Sequence, residues 1–196
     1  MPPVGNDPKR AAAWETLARR VIYDAPPFLR LSVERVRLPD GRVVEDFHSL
    51  DKPDYALVVP RLADGRILLL RQYKHGPRAV GLHPPGGHLT AGEPPLAAAR
   101  RELLEETGYT ADPWHSLGTF AVDANQGCGR AHFFLAENAR SVATPCSGDP
   151  EEMQLALLTA AELRAAILAG EVNALGSIAA LTLALNSGSF PGVQST

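Results

Sequence analysis

The chain has 196 residues, 45% of them hydrophobic and 21% charged, which is typical of one globular domain with room for a small addition. Its formal net charge of −3 argues against a broad nucleic-acid or anionic-membrane surface, although a small phosphorylated ligand needs only a local cluster of cations. Cys128 and Cys146 have neither metal-ligand spacing nor a disulfide framework, and we expect a cytoplasmic protein. No signal-peptide pattern opens the chain, and its longest mostly apolar run, Ala174–Leu185, is too short to span a bilayer.

The first fifty or so residues predict an antiparallel meander. We expect a helical turn from Trp14 that continues as a strand, and then two further strands. The expected strands are Arg19–Asp24, Phe28–Leu38 and Arg42–Leu50. Pro39-Asp40-Gly41 predicts the turn between the last two, because Pro presets φ and Gly tolerates the left-handed region. The alternation of apolar and polar residues slips near Arg35, which predicts a β-bulge.

Two near-continuous apolar runs, Asp54–Arg61 and Arg66–Tyr73, predict strands that are buried on both faces. Ala63-Asp64-Gly65 predicts that a hairpin joins them. Arg71 and Lys74 lie at the polar exit of the second strand. They are either strand-end surface charges or ligands of a diphosphate, since a guanidinium group binds phosphate oxygens through two parallel hydrogen bonds.

A rigid turn is predicted at Gly81–Gly87. The stretch from Gly87 to Tyr109, GHLTAGEPPLAAARRELLEETGY, follows it, and its middle predicts an amphipathic helix. Pro94 and Pro95 suit the first turn of this helix, and Gly108 suits its C-terminal end. At about 100° per residue, the apolar side and an acidic, solvent-facing side lie opposite each other. The apolar side carries Leu96, Ala99 and Leu103, and the acidic side carries Glu102, Glu105 and Glu106.

Three like charges within one helical turn repel each other. A divalent cation between them would remove that repulsion, and Mg²⁺ or Mn²⁺ prefers closely spaced carboxylate oxygens. The alternative interpretation is a solvated acidic face, which is common on helices.

The remainder of the chain predicts strands followed by two helices. The expected elements are strands at His115–Asp123, Arg130–Glu137 and Met153–Leu158, and helices at Ala160–Ala169 and Asn173–Asn186. Thr159 and Glu162 have capping-box spacing at the start of the first helix. A loop of about a dozen residues, Asn138–Pro150, is long enough to be functional or mobile. This order of elements predicts an α/β mixed-sheet sandwich.

The stretch from Gly87 to Tyr109 matches the signature of the Nudix hydrolases at every fixed position. The matching residues are Gly87, Glu93, Arg101, Glu102, Leu103, Glu105, Glu106, Gly108 and Tyr109. The chain therefore resembles this family, which implies a Nudix-type α/β/α sandwich. The resemblance further implies that Glu102, Glu105, Glu106 and the Gly86 carbonyl hold Mg²⁺ or Mn²⁺, and that Glu93 and Arg101 form a structural ion pair.

The N-terminal meander and the Arg71-Gln72-Tyr73 sequence are similar to those of the ADP-ribose pyrophosphatase branch. This resemblance implies a strand subdomain at 1–52 that contributes to a homodimer and a Nudix domain at 53–187. The polar residues 188–196 predict a loose tail. Two departures stand out. His83 replaces the usual Glu before the motif and is either a packed residue or a substrate or metal contact, and the loop between Asp123 and Arg130 lacks the usual Pro.

The same resemblance assigns candidate roles to individual residues. Arg71 faces the phosphates, with Lys74 and Arg130 as further substrate-binding candidates. Either Glu151 or Glu152 activates the attacking water, and Glu105 is a further catalytic candidate. The implied reaction is hydrolysis of the pyrophosphate bond of ADP-ribose or a nucleotide sugar. Two alternatives stay open: a housecleaning hydrolase for other nucleotide derivatives, and a non-catalytic module that senses nucleotides.

Overall fold

The computed structural model describes residues 13–148 and 152–187, which form two compact units. The first unit contains residues 13–53 and 121–129, and the second contains the other described residues. The tail predicted at 188–196 lies outside the described residues.

Three antiparallel strands make up most of the first unit. They are β1 (Glu15–Ala25), β2 (Leu29–Arg37) and β3 (Val43–Asp51). The helical turn predicted from Trp14 is wrong, because pairing with β2 makes the segment extended from Glu15 onwards. The bulge predicted near Arg35 is confirmed, since the register between β2 and β3 shifts between Glu34 and Val36. Gly41 has a φ of 87°, as the predicted turn requires.

The second unit contains the remaining helices and strands. In chain order they are β4 (Tyr55–Pro60), β5 (Ile67–Lys74), β6 (Ala79–His83), β7 (Gly86–His88), α1 (Pro95–Thr107), β8 (Tyr109–Thr110), β9 (Trp114–Asp123), β10 (Gly127–Ala136), β11 (Arg140–Ser141), β12 (Gln154–Leu158), α2 (Ala160–Leu168) and α3 (Leu175–Leu185). The ends of β9 and β10 between residues 121 and 129 belong to the first unit. No helix in the described part of the chain combines the length and apolar character that crossing a membrane requires.

The strands of the second unit form separate sheets. One sheet has the order β10-β4-β7, with β9 beside β10, and another has the order β12-β5-β6. The turn predicted between β4 and β5 forms, since Leu62 N–H donates to Arg66 O at 2.8 Å. The predicted hairpin is confirmed at this turn but is short, because one antiparallel bridge, Arg61 to Ile67, joins the two strands before they enter different sheets. The turn predicted at Gly81–Gly87 is shorter than expected, because β6 extends to His83 and β7 begins at Gly86.

Alternate residues of β4 belong to two hydrophobic cores. Val59 packs in a core with residues of α2 and α3, including Leu163 and Leu181. Val58 packs in a second core that contains Leu103 of α1. Helices therefore cover both faces of this sheet, in agreement with the predicted sandwich.

Candidate active site on helix α1

The ends of α1 fix where its acidic residues lie. Pro94 occupies the N-cap position and Pro95 begins the helix, where the missing N–H of proline leaves no hydrogen bond unmade. Gly108 ends the helix with a φ of 70°, and a Cβ there would lie 2.1 Å from Ala143 O. These ends agree with the sequence prediction.

Glu106 contacts the strand that precedes the helix. The backbone N–H of Gly86 donates to Glu106 Oε2 at 2.7 Å, and the Glu106 residue is only 4% exposed. The solvent-facing position predicted for Glu106 is therefore wrong. Gly86 has a φ of 154°, and a Cβ there would lie 2.1 Å from Ala56 O. Only glycine lets β7 run this close to β4 and still present its N–H to the helix.

Glu102 lies directly against Gly87. A Cβ on Gly87 would be 2.4 Å from Glu102 Oε1, so the missing side chain of the glycine makes room for the carboxylate. The Glu102 side chain is 12% exposed, whereas that of Glu105 is 46% exposed. The two glycines of β7 thus position two of the three predicted metal ligands.

Arg101 links the carboxylates to one another. Its Nη1 donates to Glu102 Oε1 at 2.7 Å and to Glu105 Oε2 at 3.0 Å. Its Nε and Nη2 donate to the two carboxylate oxygens of Glu93 at 2.9 and 3.1 Å. The predicted Glu93–Arg101 ion pair is therefore present, and it ties the loop after β7 to the helix.

The surroundings of Glu93 strongly favour its charged form. Hydrogen bonds from Arg101, and then from the backbone N–H of Thr90, lower the pKa of Glu93 to about 2. The Thr90 hydroxyl also donates to this carboxylate, at 3.1 Å. Sequence analysis did not identify Thr90, although Thr followed by Glu three residues later has the spacing of a capping box and could have indicated the contact.

The donor atoms of this cluster suit a divalent cation. Carboxylate oxygens are hard ligands. The Glu102 carboxylate occupies the space beside Gly87 that a Cβ would otherwise fill. Within the described ranges, no group of three or more His, Cys, Asp or Glu side chains is already arranged around an ion position. Arg101 and the Gly86 N–H instead hold the carboxylates. The residues fit a metal chemically, and binding would require the carboxylates to share or exchange these contacts.

The predicted substrate-binding cations lie on other strands. Arg71 of β5 is exposed and pairs with Glu171 at 3.1 Å. Lys74 ends β5, close enough to His83 to contribute to lowering the pKa of that histidine. Arg130 lies on β10, where its backbone N–H donates to Asp54 Oδ1 at 2.8 Å. The three cations are therefore distributed over β5 and β10.

Of the two candidate bases, Glu151 lies outside the described residues. Glu152 is exposed and lies two residues before Gln154, which pairs with Arg71 in the sheet. Because β12 and β5 are antiparallel, Glu152 lies towards the C-terminal end of β5, where Arg71 and Lys74 are found.

His83 occupies a packed position. It is 4% exposed, and its Nδ1 lies 3.2 Å from the Ser177 hydroxyl oxygen in the first turn of α3. Burial, and then the charge of Lys74, lowers the pKa of His83, which favours the neutral imidazole. Sequence analysis did not single out Ser177, because no local pattern connects two residues so far apart in the chain.

Comparisons with known proteins agree with this geometry. Residues 51–175 match the NUDIX domain family, and residues 14–50 match the nucleoside diphosphate sugar hydrolase N-terminal domain. A solved structure described as an ADP compounds hydrolase covers 90% of this chain and is itself covered to 96%. Its TM-score is 0.75 at 19% identity, which shows the shared fold.

Two curated relatives match most of the chain. The chain is 33% identical to a CMP-5'-(N-acetyl-N-hydroxy-3-aminopropyl)phosphonate hydrolase of Streptomyces rubellomurinus over 87% of this chain and 83% of the relative. It is 30% identical to an ADP-ribose pyrophosphatase of Mycobacterium tuberculosis over 81% of this chain and 77% of the relative. The complete motif and these matches show that the chain belongs to the Nudix hydrolases and resembles their ADP-ribose pyrophosphatase branch.

Proposed function

We propose that this protein is a magnesium-dependent hydrolase of the pyrophosphate bond in ADP-ribose or a related nucleotide sugar. The products would be a nucleoside monophosphate and a phosphorylated remainder. The observation that carries the proposal is the position of Glu102 and Glu106 against the two glycines of β7, with Glu105 on the same side of α1. The N-terminal match to a nucleoside diphosphate sugar hydrolase domain supports this substrate class.

Glu102, Glu105, Glu106 and the Gly86 carbonyl would hold Mg²⁺, with Mn²⁺ as a substitute. When bound, the cation supplies charge neutralisation of the phosphate oxygens and makes a nearby water easier to deprotonate. The protein contributes the rigidity of the ligands. The Gly86 N–H fixes one oxygen of Glu106, and Arg101 fixes one oxygen each of Glu102 and Glu105. The carboxylates would share or exchange these hydrogen bonds when the cation binds.

A second carboxylate would take the proton of the attacking water. Glu152 is the candidate among the described residues, Glu151 is the alternative, and Glu105 is a third because it is the most exposed ligand. An exposed carboxylate beside the end of β5 can approach a diphosphate that Arg71 and Lys74 bind. Arg71 would then exchange its Glu171 partner for a phosphate oxygen, and Arg130 would add a further positive charge from β10.

The first unit supports a homodimer as the working form. Several large apolar side chains are exposed on or beside β1 and β2. They are Val21, Ile22, Tyr23 and Phe28. Large apolar side chains that are exposed close together in the chain are typical of protein interfaces.

A second candidate function is hydrolysis of other nucleotide derivatives. The relative from Streptomyces rubellomurinus favours it, because that protein is named for a CMP-linked phosphonate and is 33% identical to this chain. Two features of the sequence also leave the substrate open: His83 replaces a Glu, and the loop before Arg130 lacks a Pro.

A substrate panel with Mg²⁺, Mn²⁺ or EDTA separates these functions. Metal-dependent release of AMP from ADP-ribose would support the first proposal. Metal-dependent turnover only of other substrates, such as CMP-linked phosphonates, would support the second. If the whole panel gave no metal-dependent turnover, a nucleotide-sensing module would be the better explanation and both hydrolase proposals would fail.

A further inference from the structure

Three buried polar atoms of the second unit have no hydrogen-bond partner among the residues that the structure describes. They are Gln72 Oε1, His83 Nε2 and Asn173 Oδ1. The residues Gln72 and His83 are only 3% and 4% exposed. A buried polar atom without a partner loses its hydration and gains nothing in return, so such atoms are rare in folded proteins. Three such atoms close together would share a hydrogen-bonding ligand.

The pairing of β5 with β6 brings these atoms together. Gln72 is paired with Gly81, and His83 lies two residues beyond Gly81 on the same strand. Paired residues, and residues two apart, point to the same face of a sheet. The carboxamide of Asn173 lies on that face, because its nitrogen and oxygen are each 2.7 Å from the position of a Cβ on Gly81. Asn173 therefore lies over Gly81, with Gln72 next to Gly81 on the paired strand and His83 two residues along β6.

The hydrogen-bonding capacities of the three atoms are complementary to those of one water molecule. The two amide oxygens can only accept, and a water donates two hydrogen bonds. The Ser177 hydroxyl, 3.2 Å from His83 Nδ1, can donate to that nitrogen and leave the proton of the neutral imidazole on Nε2. The His83 Nε2–H then donates to the water oxygen.

We propose that Gln72, His83 and Asn173 bind one ordered internal water, which donates to the two amide oxygens and accepts from His83. None of these three residues is a proposed ligand of the cation, and the proposal does not depend on the proposed reaction. A water with three protein partners is the usual form of internal hydration. The bridge joins β5 and β6 to the segment that enters α3. His83, its ligand from β6, lies three residues before Gly86 in the chain.

This site also explains why a histidine is suitable at position 83. A buried glutamate could only accept hydrogen bonds in its charged form, and its charge would need a buried cation. A neutral imidazole accepts from Ser177 on one nitrogen and donates on the other. Burial lowers the pKa of His83, which agrees with a neutral ring.

A crystal structure of the whole protein at about 1.5 Å resolution, together with nitrogen NMR of His83, tests the proposal. We expect one water at about 2.7–3.2 Å from all three atoms. We also expect the proton of the neutral imidazole on Nε2. The proposal fails if the site is dry, if a rotated amide gives these atoms protein partners, or if the proton is on Nδ1.

A pair of substitutions gives a further readout. Gln72→Met keeps the length of the side chain but removes an acceptor, and we expect the water density to be lost. Gln154→Met, on the neighbouring strand β12 and exposed, should leave it unchanged. Unchanged density in Gln72→Met would exclude Gln72 as a ligand of the water. If Gln72→Met does not fold, the wild-type crystal structure and the NMR measurement of His83 still test whether the water is bound.

Discussion

The backbone N–H of Gly86 donates a 2.7 Å hydrogen bond to the carboxylate of Glu106, and this contact joins β7 to the acidic side of α1. It holds one oxygen of a buried carboxylate in a fixed direction. The other proposed ligands have comparable supports, since Glu102 lies against Gly87 and both Glu102 and Glu105 accept from Arg101.

Glu106→Gln should lower kcat by about two orders of magnitude or more at saturating Mg²⁺, because an amide oxygen is a much weaker metal ligand than a carboxylate. The amide oxygen of Gln can still accept from Gly86 N–H, so the fold should survive. Steady-state kinetics and thermal unfolding check the two parts. Glu45→Gln, which removes a carboxylate of an exposed ion pair, is the matched control and should keep its rate. Near-wild-type turnover by Glu106→Gln would show that Glu106 is not an essential ligand.

Gly87→Ala should weaken metal binding while changing stability by only about 1 kcal/mol. The added Cβ would meet Glu102 Oε1, which is the movable end of a flexible side chain, so the carboxylate shifts and the backbone does not. Calorimetric titration with Mn²⁺ measures the effect. Gly76→Ala is the control, because a Cβ there has no neighbour within 4 Å. Equal Mn²⁺ affinity in both variants would mean that the position of Glu102 does not matter for metal binding.

Glu93 should make folding pH-dependent in the acid range. Its pKa of about 2 in the folded protein lies below its ordinary value of 4.5, so its contribution is complete above 4.5 and is lost as pH falls through about 2. Glu93→Gln should therefore lower the free energy of unfolding most at neutral pH, with the difference from wild type shrinking towards pH 2. Chemical denaturation at several pH values measures this. A difference that stayed constant from pH 7 to pH 2 would contradict the assigned ion pair.

Arg71→Ala should raise KM about 10- to 100-fold with little change in kcat, because a charge-assisted hydrogen bond to phosphate contributes roughly 1.5–3 kcal/mol. Glu171→Gln should lower KM, since Arg71 would no longer have to leave that carboxylate. Initial-rate kinetics distinguish these effects. Arg66→Ala removes a comparable ion pair, with Asp64, before β5 and serves as the control. A wild-type KM in both Arg71→Ala and Glu171→Gln would place the phosphates elsewhere.

The proposed homodimer predicts a molecular mass twice that of the chain in light scattering. Phe28→Asp should shift the protein towards monomer, because it places a charge on an exposed apolar surface of the first unit. Val142→Asp alters an exposed apolar residue of the second unit and should not change the mass. A wild-type monomer at micromolar concentration would contradict the proposal.

The local signals in the sequence predicted α1 well. The prolines at its start, Gly108 at its end and the regular spacing of its apolar residues each act within one or two turns, so the sequence alone determined the helix. The capping box at Thr159 and Glu162 is confirmed for the same reason. The ion pair between Glu93 and Arg101 followed from the family signature.

Features that depend on distant parts of the chain were predicted less well. The position of Glu106 on the acidic side of a helix indicated solvent, but β7 approaches that side and buries it. The apolar runs of β4 and β5 indicated strands without indicating their partners, which are β10 and β7 for one and β12 and β6 for the other. The contact between His83 and Ser177 depends on how α3 packs, and no local pattern in the sequence encodes it.

The most direct test of the account is a crystal soaked in Mn²⁺ and a non-hydrolysable nucleotide-sugar analogue, with the metal located by its anomalous signal. We expect a peak within about 2–2.5 Å of the carboxylate oxygens of Glu102, Glu105 and Glu106, and near the Gly86 carbonyl. Anomalous density at another site, with these carboxylates keeping their hydrogen bonds to Arg101 and to the Gly86 N–H, would contradict the central claim.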